Sequence, residues 1–328
     1  MADKLQITIV GLDIVGCSAG MALRRYQDKL VVTGHDASSS LASQAKSAGA
    51  VDRTDWNLIS AVEHADRVLL ALPLSQIRDT LEAIAPYLQE GCVLVDTANV
   101  KAPVLEWGAQ LLRPGAHLVG GHPILLLENV EAEKANATLF ENRFFCLTPG
   151  GTTDSGAVRL AADLVEALGA KPYFMDPTEH DGMMAAIEHT PALMAAALLS
   201  TTSHGASWKE MRRLAGSQFF SGSLVLPEDP ASAMGAIAAN REHVLSRLDQ
   251  VIAELQTWRG RLAESADEEL TSMLTEAVAA RDGWIGAFVT GRWEDTGPAP
   301  ELPTSGTFMR SLIGFGRMKS PNEKKPRR

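Results

Sequence analysis

The sequence predicts an α/β protein in which a doubly wound, mainly parallel sheet is followed by an all-α domain. From residue 7 to about residue 176, short apolar runs typical of strands alternate with helical stretches, which favours a parallel sheet with helices on both faces. After about residue 177 the apolar residues follow a helical period instead. We therefore expect domains at 1–176 and 177–294, and a linker with a basic tail at 295–328.

The composition is that of a soluble globular protein, with 45% hydrophobic and 21% charged residues. No apolar run approaches the roughly 18 residues that a membrane span needs, and the chain enters its first strand-like run too early for a signal peptide. The three cysteines are far apart, which favours reduced thiols. A net charge of −10 argues against nucleic acid as the main partner. We expect a cytoplasmic protein with neither nucleic acid nor membrane as a partner.

The first strand-like run, at residues 7–10, is followed by Gly11 and Gly16 and then by a helical stretch. Strand, glycine turn and helix open a Rossmann-type dinucleotide-binding unit, in which amides at the helix start hold the pyrophosphate. The fingerprint has a second glycine that lets the backbone approach the phosphates. Asp13 stands in that place and adds bulk and negative charge. The predicted cofactor-binding residues of the turn are Gly11, Leu12, Asp13, Ile14, Val15 and Gly16.

Asp36 follows the second strand-like run at the place where a Rossmann-type unit has the acid that binds the adenosine ribose. A carboxylate there would repel a 2′-phosphate, so we expect NAD in preference to NADP. The serines at 38–40 could still bind a phosphate, and a plain turn aspartate is the alternative interpretation of Asp36.

Three more segments follow predicted strands and would reach the carboxyl edge of the sheet, where ligands bind. The run at 67–72 ends at Pro73, and we count Leu72 and Pro73 as cofactor-binding residues. The run at 92–95 leads into residues 96–101, and the run at 117–120 leads into His122. Turn and helix-cap chemistry is the alternative interpretation of the polar residues at 96–101.

The clearest helix of the second half is predicted over residues 231–262. Its apolar positions follow a heptad spacing over about four heptads, with Arg241 as the polar interruption. The stripe predicts either a helix packed inside its own domain or a seam shared with a second subunit. A second long helix is predicted over 268–288.

Several short motifs now stand in one order along about 240 residues. The first three are a glycine turn at 11–18, with Asp13 and Cys17 as departures; Asp-x-x-Ser-x-Lys at 96–101, with Asn99 for the serine; and Gly-x-His-Pro at 120–123, followed by Thr148-Pro149. The motifs of the second half are His180-Asp181; Ser-His-x-Pro at 188–191, with Glu188 for the serine; Arg213 before Leu214-Ala215; and Asn240-Arg241. In this order the chain resembles the prephenate dehydrogenase family, which includes arogenate-using enzymes.

The resemblance implies an NAD-dependent dehydrogenase of tyrosine biosynthesis that oxidises a cyclohexadienyl carboxylate and releases its ring carboxylate as CO2. It implies a Rossmann-type domain followed by an all-α dimerisation domain, and a homodimer through the C-terminal helices. His122 is then the base near the reacting hydroxyl, a role that suits a histidine. Asn99 stands where the family has a serine beside that hydroxyl.

The substrate carboxylates need cationic or donor partners. The resemblance assigns this role to Arg213, whose guanidinium can bind a carboxylate with two hydrogen bonds. We expect His189 to add a donor, and Lys101 to bind substrate while shaping its loop together with Asp96. His180 and Asp181 are expected to fix the domain junction. Leucines at 125–127 replace the family's small residues and would change the pocket.

Two alternatives stay open at this stage. The chain could be a divergent member that has lost the dinucleotide and serves as a binding or regulatory dimer, because Asp13 could cap the following helix and occupy the anion site itself. It could also be a dehydrogenase for another small acid, since the leucine run suits a more apolar ligand.

Overall fold

The computed structural model describes residues 4–125, 135–227, 229–290 and Trp293. One eight-stranded sheet organises the N-terminal half. Its strands are β1 (Leu5–Val10), β2 (Leu30–His35), β3 (Arg53–Thr54), β4 (Arg67–Leu70), β5 (Val93–Asp96), β6 (His117–Pro123), β7 (Phe144–Pro149) and β8 (Lys171–Phe174). The expected linker and tail at 295–328 lie outside the described residues.

Helices cover the sheet and form the C-terminal half. They are α1 (Ile14–Leu23), α2 (Ser39–Ser47), α3 (Leu58–Val62), α4 (Leu74–Ile84), α5 (Ala102–Leu111), α6 (Ser155–Ala167), α7 (Pro177–Met184), α8 (Thr190–Ser203), α9 (Trp208–Leu214), α10 (Ser217–Ser223), α11 (Pro230–Ala239), α12 (Arg241–Ala263) and α13 (Asp267–Thr290). A π-helical turn, Ala185–His189, joins α7 to α8. Such turns occur often at functional sites.

The strand order is β3-β2-β1-β4-β5-β6-β7-β8, and among the strands of the described residues only the β6–β7 pair is antiparallel. The chain therefore runs outward from β1 in one direction and from β4 in the other, as in a doubly wound sheet. The carboxyl ends of β1, β4 and β5 meet at one edge beside this reversal. The predicted fold class, a Rossmann-type sheet followed by helices, is confirmed.

Two apolar clusters form the core, one on each face of the sheet. The first packs α1 and α6 against the strands, and the second packs α4 and α5 on the opposite face. The buried Ala236 of α11 belongs to the second cluster, so the helical half is anchored on the sheet.

The prediction of one continuous helix over 231–262 is wrong, because the structure divides this stretch at Asn240 into α11 and α12. Asn240 leaves helical geometry at φ −107° and ψ 26°, and its buried amide donates to the backbone carbonyl of Asp181 at 2.7 Å. The side chain thus ties the break to α7. The heptad spacing continues through this position, so the apolar pattern alone could not reveal it.

The helical stretch Pro177–Ser203 is long and apolar enough to cross a membrane by length and composition. It contains the buried polar residues His180, Asp181 and His189. Asp181 accepts hydrogen bonds from the backbone of Lys101 and Ala102 in the sheet half, so the start of this stretch packs as part of the protein's own core.

Candidate active site

Two glycines of the turn between β1 and α1 are required by close backbone contacts. Gly11 has φ +91°, and a Cβ there would lie 2.1 Å from the carbonyl oxygen of Ala71. A Cβ on Gly16 would lie 1.9 Å from the carbonyl oxygen of Gly11. The first and third places of the fingerprint therefore need glycine for packing, as they do in a dinucleotide-binding turn.

Asp13, at the middle place, caps α1. Its Oδ1 accepts hydrogen bonds from the amides of Val15 at 3.1 Å and Gly16 at 3.2 Å. These amides belong to the helix start that binds a pyrophosphate in such units. Asp13 is exposed, and an N-cap contributes only about 1 kcal/mol. Displacing this cap would weaken the binding of a dinucleotide by only about fivefold, so the two amides can still serve a pyrophosphate.

Asp36 directly follows β2 at the same edge of the sheet, beside the glycine turn. Its Oδ2 accepts from the amide of Leu12 at 2.7 Å, and its Oδ1 accepts from the amide of Ser38 at 2.7 Å. Both oxygens therefore hold the carboxylate against the glycine turn. Each has a further lone pair for a ribose hydroxyl.

A cleft of about 280 Å³ runs from the glycine turn past the ends of β4 and β5 to α11. It is lined by Asp13, Val15, Ala71, Leu72, Pro73, Leu74, Thr97, Ala98, Asn99, Ser232, Ala233 and Ala236. The predicted residues Asp13, Val15, Leu72, Pro73 and Asn99 therefore share one cleft. Its position at the reversal point of the sheet fits an extended cofactor.

Lys101 is fully buried, which differs from the expected contact with substrate. Its Nζ forms a short ion pair with Asp96 and donates to the carbonyl of Gly121 at 2.6 Å. Asp96 also accepts from the amide of Gly121 at 2.9 Å. The pair ties the loop after β5 to β6 beside His122, so Lys101 supports the site from behind. Lysine is almost never buried unpaired, and Asp96 supplies its partner.

His122 is held from behind by His180 and Asp181. His122 Nδ1 lies 3.0 Å from His180 Nε2, and His180 Nδ1 lies 2.9 Å from Asp181 Oδ1. Asp181 is acceptor-only when ionised and also binds the amides of Lys101 and Ala102. We assign the tautomers from this network: His180 donates to Asp181 and accepts from His122. His122 Nε2 then carries a free lone pair.

Burial lowers the pKa of His122 well below its usual range, and the nearby His180, Lys101 and His189 lower it further. The ring is therefore neutral at physiological pH. A neutral imidazole with a free Nε2 lone pair can accept a proton, which is the chemistry expected of His122.

Glu188 lies on the open side of His122. Its Oε1 is 3.5 Å from His122 Nε2, and its Oε2 accepts from Asn99 Nδ2 at 2.9 Å. Burial raises the pKa of Glu188, while the hydrogen bond from Asn99 and the nearby His180 oppose the shift. Asn99 and Glu188 stand at the two motif positions where the family that this chain resembles has serine. They contact each other although 89 residues separate them in the sequence.

Sequence reasoning did not include Glu188 among the site residues. The available signal was the departure of residues 188–191 from Ser-His-x-Pro, which pairs with the departure at Asn99. Only the fold shows that the two changed residues touch.

His189 is buried behind Asn240. Its Nδ1 lies 3.4 Å from the Asn240 amide nitrogen, and its Nε2 has no hydrogen-bond partner in the described part of the chain. Burial lowers the pKa of His189. A buried ring nitrogen without a partner is uncommon, and a ligand would satisfy it. The substrate contact expected of His189 stays a prediction that this orphan atom favours.

Arg213 is not brought to the cluster around His122. It lies exposed on α9, and within the described ranges no hydrogen bond or ion pair joins it to another residue. Its expected contact with a substrate carboxylate therefore stays a prediction. Of the leucine run, Leu125 is described and packs against the first core cluster, whereas residues 126 and 127 lie outside the described residues.

Two models of known protein families match this chain. Residues 19–174 match the family described as prephenate dehydrogenase, nucleotide-binding domain, and residues 176–276 match prephenate dehydrogenase, dimerization domain. The chain belongs to the prephenate dehydrogenase family. The resemblance inferred from the ordered motifs is thereby confirmed.

Individual members of the prephenate dehydrogenase family match over most of the chain. The prephenate dehydrogenase of Bacillus subtilis is 29% identical over 85% of this chain and 76% of its own length. The cyclohexadienyl dehydrogenase of Zymomonas mobilis is 28% identical over 84% of this chain and 94% of its own. A crystal structure of prephenate dehydrogenase from A. aeolicus, in complex with hydroxyphenyl propionate and NAD+, aligns with a TM-score of 0.79 at 25% identity, covering 86% of this chain and 98% of that one.

Proposed function

We propose that the protein catalyses the NAD-dependent oxidative decarboxylation of a cyclohexadienyl carboxylate, prephenate or arogenate, in tyrosine biosynthesis. The observation that carries the proposal is the free lone pair of His122 Nε2, held by His180 and Asp181 beside the cleft. Family membership supports the same reaction, because the relatives bear the names of such dehydrogenases.

Residues of the cleft and of the glycine turn beside it would bind the cofactor. The glycine turn, with the amides of Val15 and Gly16, would hold the pyrophosphate, and Asp36 the adenosine ribose. Leu72 and Pro73 would pack on the cofactor, and bound NAD supplies the acceptor for a hydride from the ring carbon.

Beyond Asn99, His122 accepts the hydrogen bond and then the proton of the ring hydroxyl, so that the carbon bearing the hydroxyl can release its hydride as C–O becomes C=O. Asn99 lies beside it, and His189 Nε2 offers a contact for a carboxylate. Lys101, fully buried, fixes the loop after β5 so that Asn99 and His122 keep their places.

The helical half is proposed to form a homodimer. Residues 176–276 match a dimerization domain. On α12, Leu245, Ile252, Leu255 and Leu262 are exposed at spacings of seven, three and seven, which is the spacing of a heptad seam. Exposed apolar residues continue on α13, such as Leu274 and Ile285. A second copy of the chain would cover these apolar faces. We also propose that the enzyme acts in the cytoplasm.

The experiment is to titrate the protein with NAD and with NADP by calorimetry, then to follow NADH absorbance with prephenate and with arogenate. The proposal expects NAD to bind more tightly than NADP, and at least one substrate to yield NADH. The absence of turnover with both substrates and both cofactors would overturn it.

A second candidate is a binding or regulatory dimer without cofactor, and the capping of α1 by Asp13 favours it. On this hypothesis the wild-type protein does not bind NAD, and Asp13→Gly restores binding. Tight NAD binding by the wild type would exclude it.

A further inference from the structure

His122 Nε2 and Glu188 Oε1 are two acceptors that face each other across 3.5 Å. The chain from Asp181 through His180 places the lone pair of His122 on this side. The carboxylate of Glu188, when ionised, has acceptors only. In the part of the chain that the structure describes, neither of these two atoms receives a hydrogen from the other, so a substrate group that lies against both must supply the donors.

Asn99 fixes the carboxylate in this place. One N–H of its Nδ2 donates to Glu188 Oε2 at 2.9 Å, which leaves Glu188 Oε1 facing His122. A serine at either position could donate to a substrate hydroxyl oxygen. Glu188 replaces this donor by a carboxylate acceptor beside His122, and Asn99 holds it there, so the preferred substrate group changes as well.

We propose that Glu188, paired with Asn99, selects a cyclohexadienyl carboxylate with an amino group, in place of the hydroxyl, on the carbon that releases the hydride. This inference rests on the proposed function and specifies its substrate. A hydroxyl has one hydrogen and can satisfy only one of the two facing acceptors, which leaves the other without a donor. An ammonium group has three hydrogens and can donate to His122 and to Glu188 together.

The geometry needs one adjustment. Two hydrogen bonds of about 3 Å from one tetrahedral nitrogen reach acceptors roughly 5 Å apart, whereas the two acceptors stand 3.5 Å apart. The Glu188 side chain is 35% exposed, so it can swing outward, while His122 is fixed by its partners.

The chemistry balances with an amine. The ammonium group gives one proton to His122 Nε2, and the neutral amine then assists release of the hydride from its carbon as C–N becomes C=N. The ring carboxylate leaves as CO2, and the electron pair of its C–C bond completes the aromatic ring. One substrate and one NAD+ give one arylamine, one CO2, one NADH and one proton, which leaves through His122.

The test compares NADH formation from 4-amino-4-deoxyprephenate with that from prephenate and arogenate, for four proteins. These are the wild type, Glu188→Ser, the double variant Asn99→Ser with Glu188→Ser, and Glu179→Gln, an exposed control on α7. We expect kcat/KM of the wild type to favour the amine at least about tenfold, since the hydroxyl leaves one of the two facing acceptors without a donor. The double variant should reverse the preference, and Glu179→Gln should keep it.

A binding measurement keeps the inference testable without turnover. In the presence of NAD+, 4-aminophenylpropionate has two N–H donors and should bind the wild type about tenfold more tightly than 4-hydroxyphenylpropionate. Equal or tighter binding of the phenol, or a higher kcat/KM for prephenate or arogenate, would overturn the inference while the dehydrogenase function stands. If no substrate yields NADH, the proposed function fails, and the binding preference alone decides the role of Glu188.

Discussion

At the glycine turn, Asp13 and Asp36 accept hydrogen bonds from the amides around them, whereas beyond Asn99, at the other end of the cleft, His122 and Glu188 are two acceptors that face each other. The cofactor end is thus satisfied by its own side chains. The catalytic end is not, and the buried Nε2 of His189 also lacks a partner in the described part of the chain. The difference indicates that a bound ligand has to displace side-chain contacts at the glycine turn, whereas it supplies the missing hydrogen-bond partners around His122.

The largest expected effect comes from removing the base at the unsatisfied end. His122→Asn should lower kcat about 10²- to 10⁴-fold, the usual contribution of a positioned general base, and leave the Kd of NAD unchanged because His122 is remote from the glycine turn. Steady-state kinetics with calorimetry of NAD binding checks this. A variant with wild-type kcat would show that His122 does not act on the substrate.

A charge in the exposed stripe of α12 should change assembly. Leu255→Glu should shift the protein from dimer to monomer in sedimentation equilibrium, because it places a charge in the heptad seam. Gln256→Glu is the matched control on the exposed face of the same helix and should remain dimeric. A wild type that is monomeric at all concentrations would refute the proposed seam.

Removing the Asp13 cap at the glycine turn should have a moderate effect on the affinity for NAD. Asp13→Gly removes a cap worth about 1 kcal/mol that competes for the amides of Val15 and Gly16, together with a negative charge beside the phosphates. We expect NAD to bind about five- to tenfold more tightly, measured by calorimetry. Asp28→Gly, at a charged position away from the turn, should not change the Kd. An unchanged Kd for Asp13→Gly would mean that the cap does not compete with the cofactor.

The smallest expected effect is the response of the wild type to pH above neutrality. Because burial and the nearby His180, Lys101 and His189 hold the pKa of His122 well below its usual range, the base is already neutral at pH 6.5. Raising the pH cannot create more of the active form, and lowering it removes that form only as the pH falls through the depressed pKa. We expect kcat/KM to change less than about twofold between pH 6.5 and 8. A rise through this range with an apparent pKa near 7 would contradict the assigned state of His122.

The sequence patterns that succeeded are local or periodic. Alternating strands and helices predicted the sheet, and the order of short motifs predicted the family. Three features escaped because they depend on contacts between distant segments. The break at Asn240 needs the carbonyl of Asp181, the burial of Lys101 needs Asp96 and Gly121 around its ammonium, and the role of Glu188 needs Asn99.

Asp13 shows the opposite situation, because its effect is local. The sequence allowed either a turn that still admits NAD past Asp13 or a helix cap by Asp13 that occupies the phosphate site, and the structure contains the cap, at 3.1 and 3.2 Å from two amides. Local side-chain chemistry of this kind can be predicted, whereas its consequence for affinity depends on a competition of free energies that only a titration measures.

The most direct test of the central claim is to measure NADH and CO2 together, from a cyclohexadienyl carboxylate, for the wild type and His122→Asn. We predict one CO2 for each NADH with the wild type, for at least one substrate of the class, and a rate lower by two or more orders of magnitude with His122→Asn despite unchanged NAD binding. NADH without CO2, no NADH at all, or equal rates for the two proteins would contradict a decarboxylating dehydrogenase that uses His122 as its base.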